Sequence, residues 1–189
     1  MKFAKQLIAL AALSTLGASF SAFAESDINT GAAAGLSAIA RLDVRVTVPR
    51  IIYLQVGTGT AFTDVTTVDR VDFTLGAADV GSGLAIAGVS TGGAVTARVL
   101  GNGGNVTFSA VGTVGGLTNG TQTIPWSQIV PAVTGGTLVH PAISGASSVL
   151  TAVANVVNQS TTYSFNYSNT SAVAAGTYNG QVTYTAALP

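Results

Sequence analysis

Gly88-Val89-Ser90-Thr91-Gly92 has the spacing of a nucleophile elbow, which seats a serine on a sharp turn between a strand and a helix. An elbow of that kind needs an acid and then a histidine later in the chain. No Asp or Glu follows Asp79, and His140 is the only histidine. Strand-like sequence follows the motif, so serine hydrolysis is not expected. His140, between Val139 and Pro141, reads as a loop or strand-end residue and not as a metal ligand. Asp64, Asp69, Asp72 and Asp79 form the only acidic cluster of the domain. Carboxylates can hold Ca²⁺, but the ordered spacing of a calcium loop is missing and solvated strand and turn positions are expected. No lysine follows Lys5, which excludes a Walker-type phosphate loop. Tyr163, Tyr167 and Tyr178 could stack on a sugar if they faced outward. Tyr163 and Tyr167, however, share the phase of Phe165 and should pack inward. No catalytic residue, metal or cofactor is expected.

The elements that carry these residues are strands. Met1, Lys2 and Lys5, the apolar run Leu7–Leu16 and the Ala22-Phe23-Ala24 cleavage signal make residues 1–24 a secretory signal peptide. That run is too short to span a membrane, and no later stretch is long and apolar enough to do so. Residues 25–189 hold five arginines against seven acids, a net charge of −2, so no basic surface invites nucleic acid. There is no cysteine, and the fold must rest on packing and sheet hydrogen bonds. Charged residues are 7% of the chain, against roughly 25% in ordinary globular proteins. The 91 residues after Arg98 carry none. A half-chain wetted only by Thr, Ser, Asn and Gln suits a subunit packed against copies of itself or one resistant to protease and pH outside the cell; the alternative is a merely neutral secreted domain.

Period-two alternation marks Arg50–Val56, Asp69–Leu75, Ala94–Leu100, Asn105–Val111, Thr161–Tyr167 and Thr177–Leu188 as strands. Gly101-Asn102-Gly103-Gly104 predicts a hairpin between two of them. Trp126 is expected to plug one end of the core. Val149–Val157 is open to either a short helix or a strand. Seven or eight short strands joined by glycine-rich turns imply an all-β fold at residues 41–189, a sandwich or a barrel, and the uneven strand spacing and long connections favour a Greek-key β-sandwich.

Ile28 to Val48 alternates over 21 residues with apolar side chains at even positions, whereas strands usually have about 3–10 residues. The reading is an N-terminal arm, residues 25–40, running in phase into the domain's own first strand. Lacking a hairpin partner, the arm is a candidate to pair with another molecule through Ile28, Ala32, Ala34, Leu36 and Ala38.

Ala175-Gly176-Thr177-Tyr178-Asn179-Gly180-Gln181-Val182-Thr183-Tyr184-Thr185 resembles the closing strand of bacterial fimbrial (pilin) subunits of the chaperone–usher kind. The leader, the Ala/Gly/Thr/Val-rich composition and the alternating arm are similar too. The resemblance implies an immunoglobulin-like sandwich with an incomplete sheet, one strand short. The missing strand would come first from a periplasmic chaperone, at an outer-membrane usher, and then from the next subunit's arm. Tyr178, Val182, Tyr184 and Leu188 would line the acceptor groove. The absence of a disulfide and the Ala187-Leu188-Pro189 ending depart from that pattern. The expected function is a secreted structural subunit of a surface fimbria that supports adhesion or biofilm, self-associating by β-strand addition. The alternative is a monomeric secreted binding module, for example for carbohydrate.

Overall fold

A computed structural model describes residues 25–189 apart from Ala33, Thr60 and Ala61. The leader assigned to residues 1–24 lies outside the described residues. The chain divides into an N-terminal segment ending at Thr47 and a unit spanning Val48–Pro189.

The second unit is a β-sandwich, with no α-helix among the described residues. Its strands are β1 (Ile52–Val56), β2 (Val71–Asp72), β3 (Ile86–Ala87), β4 (Val89–Ser90), β5 (Val95–Gly101) and β6 (Val106–Gly112). Then come β7 (Leu117–Thr118), β8 (Thr123–Ile124), β9 (Ile129–Thr134), β10 (Ser148–Leu150), β11 (Val157–Tyr167) and β12 (Val182–Ala187). One sheet runs β1-β5-β11, and β11 also pairs β3 and β9; the other runs β10-β6-β12. All pairs are antiparallel. The first sheet follows the A-B-E-D order of immunoglobulin-like sandwiches and β6-β12 stand as C-F. In the chain β9 precedes β10, a departure from that order.

The alternation read from the sequence is the alternation that packs. In β5, Val95, Ala97 and Val99 point into the core; in β6, Val106, Phe108 and Ala110 face them from the other sheet. Tyr163 and Tyr167 of β11 are buried and Phe165 is half-buried beside them, so no outward sugar platform forms there. The core falls into two clusters, the larger around Val99, Phe108, Leu138 and Tyr163, the smaller around Ile124, Ile129 and Tyr167.

One expectation is corrected. Gly101–Gly104 does not close a hairpin: β5 and β6 belong to opposite sheets, and the loop carries the chain across the sandwich. Both strands bury one face completely, and two such faces satisfy each other across the interior. A hairpin would have set them side by side. The loop's Asn102 works as a clamp on the entry to β1. Its Oδ1 accepts from Ile51 N at 2.7 Å and its Nδ2 donates to the Pro49 carbonyl at 2.7 Å. Pro131 lies within β9, which pairs only with β11. A free edge is where proline's missing donor costs nothing. Val149–Val157 resolves into the end of β10 and a tight turn with Ala154 and Asn155 at positive φ, not a helix.

Trp126, just past β8, does plug the smaller cluster. Its Nε1 donates to the Thr113 carbonyl at 2.8 Å, and its ring lies over Gly112 and Gly180. A Cβ at Gly112 would stand 2.2 Å from Nε1, so the backbone there must be bare.

The N-terminal segment contains no strand among its described residues. It doubles back instead. Arg41 holds Glu25 through both carboxylate oxygens (3.0 and 3.2 Å), Ile39 N donates to Asp27 Oδ2 at 3.2 Å, and Asn29 Nδ2 reaches the Ser37 carbonyl at 3.4 Å. The bend between these arms includes Gly35 at φ +98°. Alternation makes a segment amphipathic, but a strand also needs a ladder partner for its backbone groups.

Candidate functional site

The residues that look catalytic in the sequence are not brought together as a catalytic group. Ser90 Oγ in β4 is buried and has no hydrogen-bond partner. His140 is engaged elsewhere: Nδ1 lies 2.6 Å from the Pro141 carbonyl and Nε2 2.7 Å from the Tyr184 hydroxyl. A carbonyl only accepts, so Nδ1 carries the proton and the neutral ring accepts the Tyr184 O–H at Nε2. The four aspartates are dispersed as well. Asp69 takes Thr58 N at 2.6 Å, Asp72 pairs Arg70 at 2.7 Å, and Asp79 accepts from Gly76 N at 3.0 Å. Among the described residues no group of three or more His, Asp or Glu side chains could hold a metal.

What the fold does build is a seam. β1 is the last strand of one sheet and β12 the last strand of the other, so two edges that are unpaired among the described residues face the same gap. At one end the gap is shut: Arg50 Nη2 donates to the Pro189 carbonyl at 2.6 Å, and Ile52 and Leu188 meet over Gly101. At the other it widens into a cavity of about 440 Å³ between the sheets, bordered by Val56, Val182 and Tyr184 and floored by Val71, Val95 and Phe165.

The burial pattern reports the same gap. The inward residues of β12, Val182, Tyr184 and Ala186, are only half-buried, as are Leu54 and Val56 of β1, although all but Val182 pack on the larger core cluster. Backbone and side chains are therefore both short of a neighbour. One more strand in the seam would take up the free N–H and C=O groups and cover these side chains at once.

Compared with family models, curated proteins and solved structures, the chain matches none.

Tyr184 connects the seam to the interior. The His140 ring stands edge-on to Tyr163, Phe165 and Tyr184, with centroids 4.7, 5.6 and 5.5 Å away. Burial lowers the His140 pKa below its ordinary value, only partly offset by the Pro141 carbonyl. Burial also pushes the Tyr184 and Tyr163 hydroxyls well above the usual tyrosine range. At neutral pH the contact is thus an uncharged hydrogen bond that fixes the edge strand from behind.

Of the residues assigned to an acceptor groove, Val182 and Tyr184 border the cavity, and Leu188 closes its narrow end. Tyr178 is a correction. It precedes β12, packs on the smaller cluster and hydrogen-bonds the Ala174 carbonyl at 2.9 Å and Gln122 at 3.3 Å. The closing strand thus begins at Val182 and not near Thr177, because the Tyr178 ring is drawn off by that second cluster.

Of the arm residues, Ile28 is 85% exposed, Leu36 49% exposed, and Ala32, Ala34 and Ala38 are exposed within the doubled-back stretch. The sequence reading missed Leu42, Val44, Val46 and Val48 by giving them to the domain's own first strand. That strand begins only at Ile52, and the four side chains are 87, 81, 80 and 72% exposed. The signal was there in Pro49, which interrupts any ladder between Val48 and β1.

Proposed function

We propose that this chain is an exported structural subunit of a cell-surface filament, of the chaperone–usher fimbrial kind, supporting adhesion or biofilm. Subunits join by strand addition, in which the N-terminal segment of one copy completes the sheet of the next. The observation that carries this reading is the coincidence of two unpaired strand edges with a half-buried apolar lining. An inserted strand gains main-chain hydrogen bonds for affinity, while alternate side chains in the gap give specificity. Before assembly the same gap would take a strand from a periplasmic chaperone, with hand-over at an outer-membrane usher. The uncharged stretch after Arg98 supports a life spent against copies of itself.

A monomeric sugar-binding module draws less support, since the aromatic residues of β11 face inward. Gel filtration and electron microscopy of the exported chain, with and without residues 25–48, test the proposal. Polymers from the intact chain and monomers from the shortened one are expected. A monomer in both forms, or polymers in both, would refute it.

A further inference from the structure

Granting strand addition as the mode of assembly, we infer that the inserted strand is Leu42–Val48 and not the small-residue stretch Ile28–Ala38. The occupant of the seam is this segment of a second copy of the chain.

Leu42, Val44, Val46 and Val48 lie on one side of an extended strand, and Arg41, Asp43, Arg45 and Thr47 on the other. In a strand laid along the edge of β12 the first set enters the gap and the second faces water. These four apolar side chains are 72–87% exposed, a line of uncovered β-branched and Leu residues that a soluble monomer has little reason to keep. Leu42 to Val48 spans about 20 Å when extended, the reach of a strand of six or seven residues. The edge it would join, Val182–Ala187, has six. Neither edge strand carries a charged residue, and the cavity's charged lining, Asp69 and Arg70, comes from outside both strands.

Ile28–Ala38 fits the same gap poorly. It lies in a stretch already folded on itself, held by Glu25–Arg41, Asp27–Ile39 and Asn29–Ser37 and bent with Gly35 at positive φ. Entry as a straight strand would break these contacts, and of its six inward side chains three are alanines with little surface to bury and one is Thr30. Ile39, just beyond it, has the wrong parity.

Two double variants of the full chain separate the segments. Leu42→Asp with Val46→Asp should lower the polymer fraction by about tenfold or more, because each carboxylate would be buried in an apolar gap. Ile28→Asp with Leu36→Asp should polymerise like the parent. All four residues are solvent-exposed, so both variants should keep the parent's melting temperature, which near-UV circular dichroism checks. As a second measurement, a synthetic peptide of residues 41–49 should slow polymerisation of the parent, and one of residues 27–38 should not. Loss of polymer in the Ile28/Leu36 variant alone would overturn the assignment and leave strand addition standing. So would normal polymer from both double variants when deletion of residues 25–48 abolishes it. Polymer that survives the deletion would overturn strand addition itself.

Discussion

β6 and β12 are neighbours in one sheet, hydrogen-bonded over six residue pairs, yet they end up in different environments. The inward residues of β6, Val106, Phe108 and Ala110, have no exposed surface at all. Those of β12 remain half-exposed, although their types and alternation are as good. The difference is lateral: β6 has β10 on its far side and β12 has nothing. A side chain on a sheet is covered from the opposite layer and from both flanks, so an edge strand over a gap keeps part of its hydrophobic energy unspent. In this fold that reserve sits beside a second edge that is unpaired among the described residues, the arrangement on which the proposed strand addition rests.

Phe108→Ala is the harshest test of the contrast. It should cost about 3–5 kcal/mol, because a fully enclosed ring leaves a cavity that cannot collapse. Chemical denaturation of the monomer reads it. Val182→Ala on the neighbouring strand should cost only about 1 kcal/mol in the monomer, and more in the polymer, where the side chain would be covered. Equal losses at the two sites in the monomer would remove the distinction.

Gly112→Ala lies where the two environments meet. Its new methyl would collide with the Trp126 ring, for about 1–3 kcal/mol of overpacking. Fluorescence of this sole tryptophan should change with it.

Acid should loosen the seam from within. The folded His140 has a lowered pKa, whereas the unfolded one titrates near 6.5. The unfolded state therefore binds more protons between those values. His140's share of stability is complete above about pH 6.5 and is lost as the pH falls toward the folded value. His140→Gln should flatten that part of the stability–pH profile. Tyr184→Phe, which leaves Nε2 without its donor, should cost about 1 kcal/mol near neutral pH. Arg50→Ala, removing one exposed hydrogen bond at the closed end, should cost at most about 1 kcal/mol in denaturation and is the mildest change.

Much of this was legible in the chain before it was folded. Alternation alone turned Tyr163, Phe165 and Tyr167 inward and marked Ala94–Leu100 and Asn105–Val111 as strands, because which face of a strand is dry follows from period two. The all-β class followed from the same patterns and the glycine-rich joints. Which strand lies beside which did not follow, since periodicity names a face and never a partner. Gly101–Gly104 has the residues of a hairpin, yet its flanking strands separate into two sheets because each has a face that only the opposite layer can cover. Tyr178 shares the parity of Val182 and Tyr184 but is captured by another cluster. Residues 28–48 read as one alternating run, an arm leading into a first strand, whereas the folded chain makes them a stretch clasped on itself followed by four uncovered side chains, and the first strand begins only at Ile52. Local sequence determined which residues want a neighbour; the path of the chain decided which of them go without one, because covering a strand on both flanks requires segments distant in sequence to arrive at the same place.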